Sequence, residues 1–133
     1  MKQTRVQPLP RTRAKVYLTR AENLLHTMEL AERERNPDGV AITAVQAAIA
    51  LGDAYTIHFL QERCRGQDHH EVITLIARSG APQKGEVGPM ISRILGRKNE
   101  VEYEDRAVSL NDARELARWV RTLSTLVHAD LQA

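Results

Sequence analysis

An all-α bundle of four to five antiparallel helices is the fold this 133-residue chain predicts, and three observations carry it. Only five residues are Phe, Trp or Tyr while alanine is abundant, so strands are poorly supplied. Apolar residues recur at three- and four-residue spacing over two long stretches, 16–31 and 113–127. Between them, residues 40–60 are apolar almost all round, the pattern of a helix buried on every side.

Residues 1–12 carry Pro8 and Pro10 and no apolar period, which predicts a flexible, extended arm ahead of one helical domain over 13–133. Lys2, Arg5, Arg11, Arg13, Lys15 and Arg20 all precede the first acid, Glu22, so the arm is basic although the net charge is only +2. Val16, Ala21, Leu24, Leu25, Met28 and Ala31 define a first helix over about 12–34, ended by Asn36-Pro37-Asp38-Gly39. The second helix is rich in alanines that let neighbours approach closely. Its polar residues Thr43, Gln46, Asp53 and Thr56 fall at helical spacing, as a narrow seam rather than a solvated face.

Asp68, with Glu71 three residues on, makes a capping-box-like start to a third helix ending at Ser79-Gly80. Gly80 to Gly88 reads as a loop, and Pro89 suits the first turn of a short fourth helix containing Met90, Ile91, Ile94 and Leu95. After a charged segment containing Tyr103, whose ring is expected to pack in the core, Ser109-Leu110-Asn111-Asp112 starts the last helix. Cys64 is the only cysteine, which rules out an intrachain disulfide. With neither a secretory leader pattern nor an apolar run expected to span a bilayer, the reading is a cytoplasmic protein without membrane contact.

Chemistry concentrates in Arg63-Cys64-Arg65-Gly66-Gln67-Asp68-His69-His70, where two guanidiniums, a carboxylate and two imidazoles share one helix-to-helix junction. Arginine holds phosphate bidentately, and histidine exchanges protons near neutral pH. The alternative for His69 and His70 is a helix start whose rings pair with Asp68, Glu71 or backbone. Asp53, on the apolar second helix, needs a cationic or hydroxyl partner. Arg114, Arg118 and Arg121 line one face of the last helix, either solvated or contacting phosphate or an acidic partner. His58 has no metal-spaced companion and no glycine-rich phosphate loop precedes a helix, so no metal and no cofactor are expected.

Gln46-Ala47-Ala48 in the second helix, Asp68-His69-His70-Glu71-Val72 opening the third, and Lys98 to Asp105 (KNEVEYED) before a helix starting SLNDA together resemble the HEPN family. The resemblance spans most of residues 13–130. It implies a HEPN-like bundle of four or five helices, and either of two activities: a metal-independent ribonuclease, often a toxin paired with a nucleotidyltransferase-like antitoxin, or a non-catalytic module binding a nucleotide, nucleic acid or partner protein.

Nucleolytic members carry an arginine a few residues ahead of a histidine. Here five residues separate Arg63 from His69, six separate Arg63 from His70, and four separate Arg65 from His70; Arg20 to His26 and Arg121 to His128 fit the same window. Those members typically place a polar residue directly after the arginine, whereas Cys64 follows Arg63 and Gly66 follows Arg65. As an enzyme, His69 or His70 would assist attack of the ribose 2′-hydroxyl, Arg63 or Arg65 would stabilise charge on phosphate, and Asp53 would orient one of them. The resemblance further implies a homodimer that brings two such motifs into one cleft.

Overall fold

The structure is a computed structural model that describes residues 6–65, 70–98 and 107–132. Asp68, His69 and Tyr103 lie outside the described residues. The chain is an all-α bundle. Among the described residues it has five α-helices, α1 (Ala14–Arg33), α2 (Pro37–Leu60), α3 (His70–Arg78), α4 (Lys84–Gly96) and α5 (Leu110–Gln132), with two three-residue strands, β1 (Val6–Pro8) and β2 (Glu62–Cys64).

α2 is the centre, and α1, α3, α4 and α5 all pack against it. Its start follows from local chemistry: the Asn36 side chain accepts the Gly39 N–H at 3.0 Å, Pro37 occupies the first turn where its missing N–H costs nothing, and Asp38 complements the helix dipole. Val40, Ala44, Ala48, Leu51 and Tyr55 are wholly enclosed. At Gly52 an added Cβ would stand 3.3 Å from both Ile91 and Val72, so this glycine sets how closely α3 and α4 approach. α2 is long and apolar enough to cross a membrane by length and composition, a run the sequence reading did not count, but most of it is buried inside the bundle.

The polar seam on α2 is held as expected at three of four positions. Thr43 donates to Gly39 O and Thr56 to Asp53 O within the helix, while Asp53 finds a partner outside it. Gln46 instead faces solvent.

α1 buries Ala14, Ala21 and Met28 and ends in a Schellman closure, Asn36 N–H to Ala31 O and Arg35 N–H to Glu32 O, with Arg35 at a left-handed φ of 56°. α5 begins where Ser109 Oγ accepts the Asp112 N–H at 3.0 Å, and it buries Ala113, Leu116, Ala117, Val120, Leu123 and Val127, the stripe expected from their spacing.

Two expectations need correction. The segment 80–88 is not all loop: α4 begins at Lys84, so Pro89 lies inside the helix rather than in its first turn. The cause is distant in sequence. Gln83 is pinned by Asp130 of α5, and its carbonyl accepts the Glu86 and Val87 N–H groups, which starts the helix early. Lys84 then donates to Ala77 O and Ser79 O, covering the carbonyls at the end of α3. The second correction concerns the arm. β1 pairs antiparallel with β2, Gln7 opposite Arg63, and a 3₁₀ turn at Arg11–Arg13 leads into α1, so residues 6–13 are tied to the bundle.

Candidate anion site around Asp53 and Arg63

Arg63 is the middle residue of β2, the strand that follows the left-handed turn at Gln61 closing α2. That short return brings its side chain back over α2, where its Nε donates to Asp53 Oδ2 at 3.2 Å. Asp53 is only 6% exposed, so the predicted need for a partner is met by this guanidinium.

The same guanidinium lies over the ring of Tyr17 on α1, 4.9 Å from its centroid, and Arg20, one turn along α1, lies 5.0 Å from that centroid. Each arginine gains from the negative face of the ring. Tyr17 therefore gathers two guanidiniums beside one buried carboxylate. Burial pushes the Asp53 carboxyl up to about 6, against the opposing pull of Arg63 and, more weakly, Arg20. A carboxyl in this range changes charge close to neutral pH.

That displacement has a measurable sign. The folded-state value lies above the ordinary 3.8, so the native protein holds the extra proton and stability falls as pH rises between about 4 and 6. Asp53→Asn removes the titration. The stability of wild type minus that of the variant is expected to drop by about 1–3 kcal/mol between pH 4 and pH 8, read by urea denaturation. A difference that stays flat with pH would show that Asp53 titrates in its ordinary range.

The remaining residues singled out from the sequence are distributed more widely. Arg65 is exposed just beyond β2, and His70 is exposed at the first position of α3. The start of α3 is nonetheless tied to β2, since Cys64 Sγ lies 3.7 Å from Glu71 Oε2 in hydrogen-bonding geometry. A cavity of about 10 Å³, the size of one water molecule, lies between Asp53, Cys64, Gly52 and Val72.

The arginines of α5 belong elsewhere. Arg121 pairs with Glu32 at the far end of α1, roughly 20 Å along the helix from Tyr17. Arg118 stands 3.9 Å from Glu115, and Arg114 is exposed. Among the described residues, no group of His, Cys, Asp and Glu side chains could hold a metal ion.

Two features escaped the sequence reading. Tyr17 is one, and nothing in its spacing marks it as a platform for two arginines. The second is a buried polar network joining three helices. Asp130 of α5 accepts the Tyr55 hydroxyl at 2.5 Å, and at 2.9 and 3.0 Å the backbone N–H and side-chain amide of Gln83. Burial pushes the Asp130 carboxyl up, but these hydrogen bonds outweigh it and hold it below the ordinary range; burial and the Asp130 charge push the Tyr55 hydroxyl far up.

Comparison of the chain with family models, with curated proteins and with solved structures finds no significant match, so its function is read from its own residues.

Proposed function

We propose that the protein is a HEPN-like helical module that binds RNA through its phosphates, at the face built by Tyr17, Arg20, Asp53 and Arg63. The observation that carries this reading is the gathering of two guanidiniums on one aromatic ring, with a buried carboxylate orienting one of them. Like charges held together repel, and a single neutralising carboxylate leaves the group cationic overall. A phosphate completes the charge balance, and guanidinium is the group best shaped to hold it. Arg65, exposed at the end of the same strand, adds to the field.

A second reading, a metal-independent ribonuclease acting as a toxin, is favoured by the Asp53 carboxyl. Held near 6 beside a phosphate-binding arginine, it is suited to proton transfer, with His70 at the start of the adjoining helix. In that reading the protein acts in the cytoplasm as a homodimer beside a nucleotidyltransferase-like antitoxin.

The two readings separate in one experiment. End-labelled single-stranded RNA is incubated with wild type and with His70→Ala in EDTA, and both retention and fragment length are followed. Saturable binding without fragments supports the module. Fragments with a cyclic phosphate end, lost in His70→Ala, support the ribonuclease. Neither binding nor cleavage overturns both.

A further inference from the structure

At one end of the bundle the 3₁₀ turn, the first turns of α1, the end of α2 and the end of α5 line a wide-mouthed surface groove of about 380 Å³. This volume lies within the range of small-molecule sites, roughly 300–1,000 Å³. Its wall is largely apolar, with Ala14, Leu18 and Leu131 as the hydrocarbon part. Arg11, Lys15, His58 and His128 are the titratable side chains in the wall, and no carboxylate belongs to it among the described residues.

The four cationic candidates are not equivalent. His128 spends its ring on the protein: Nε2 lies 3.1 Å from Glu22 Oε1, and Nδ1 lies 2.7 Å from Ser124 O and 3.2 Å from Ser124 Oγ. Burial, helped by the Arg11 charge, holds the His58 imidazole below its ordinary range, which favours the neutral ring. Arg11 is fixed by its Nε, which donates to His58 O at 2.8 Å, and Lys15 follows one turn later on the same face of the chain. Positive charge is therefore concentrated on one side of a largely apolar groove.

We propose that this groove is a binding site for a small amphipathic carboxylate, an acyl or aryl acid whose apolar body lies against Ala14, Leu18 and Leu131 while its carboxylate meets Arg11 and Lys15. A free phosphate would leave the hydrocarbon wall uncovered, and a neutral hydrocarbon would leave the cations unmatched. The class that satisfies both is an anion at one end and apolar at the other. This site uses none of Tyr17, Arg20, Asp53 or Arg63, so it stands or falls independently of RNA binding.

Decanoate and decanol, each titrated into the full chain below the micelle-forming concentration and followed by calorimetry, separate charge from hydrophobicity. One decanoate per chain is expected to bind saturably, at least tenfold tighter than decanol. Lys15→Glu, at an exposed position where the fold is not at stake, is expected to weaken decanoate at least tenfold and leave decanol unchanged. Gln132→Trp, at an exposed site in the last turn of α5, should fill the groove and abolish binding of both. Absence of saturable decanoate binding, equal affinity for decanol, an unaltered Lys15→Glu, or undiminished binding in Gln132→Trp would each overturn the proposal.

Discussion

Asp130→Ala is expected to destabilise the bundle by about 3–5 kcal/mol, because it removes the shared charged acceptor of several hydrogen bonds, each worth about 1.5–3 kcal/mol. The carboxylate is 3% exposed and serves three donors, the Tyr55 hydroxyl and both the backbone and side-chain amides of Gln83. The Tyr55 hydroxyl would be left buried without its acceptor, while the donors of the half-buried Gln83 would keep only the bond from its side-chain amide to Leu126 O at 3.2 Å. An unsatisfied buried donor costs about 1–3 kcal/mol, and the loss of the two Gln83 bonds adds to that of the Tyr55 hydroxyl. Tyr55→Phe removes only one donor and leaves Asp130 two others, and its loss is expected at about 1.5–3 kcal/mol. Urea denaturation of both variants and of the double variant measures the coupling. If Asp130→Ala cost less than Tyr55→Phe, the network would not be the clamp between α2, α4 and α5 that its geometry describes.

This network also explains which parts of the molecule could be read from the sequence. α1, α2 and α5 were legible because their signals are local: apolar residues every three or four positions in α1 and α5, an apolar run on every side in α2, and a serine cap on α5. The need of Asp53 for a partner was legible too, since a carboxylate among alanines on every side has no other outlet. The true start of α4 was not. It depends on Gln83 meeting Asp130, 47 residues away, and a glutamine in a glycine- and proline-containing stretch looks like a loop until its partner is known. Tyr55 and Asp130, 75 residues apart, gave no pattern at all. Likewise the segment 6–8 carries too few residues to announce a strand, and pairs only because the left-handed turn at Gln61 sends β2 back beside it. Of the candidate site, the sequence indicated Asp53 and Arg63, with Asp53 orienting one of the arginines or histidines, but not which one. Their union with Tyr17 and Arg20 arises from the packing of α1 against α2, which composition does not encode.

Arg63→Ala is expected to weaken RNA binding by tenfold to a hundredfold, the loss of about 1.5–3 kcal/mol for hydrogen bonds to a charged group. Arg63→Lys is expected to recover only part of this. Lysine keeps the charge, but it lacks the planar fork that donates Nε to Asp53 while lying over Tyr17 and still offering further N–H groups to a phosphate. The same geometry sets a pH dependence. Phosphodiesters stay ionised between pH 5 and 8, whereas the Asp53 carboxyl, at about 6, gains its proton as pH falls through that value and ceases to offset the two guanidiniums. Affinity for RNA should therefore rise as pH drops from 7 to 5, and Asp53→Asn should bind with the low-pH affinity throughout. Fluorescence anisotropy of a labelled single strand over a series of salt concentrations reads both effects. Loss of Arg63 should also reduce the slope of log affinity against log salt by about 1, the signature of one phosphate contact removed. An Arg63→Ala protein with wild-type affinity and an unchanged salt slope would exclude this face as the anion site, whatever the protein binds elsewhere.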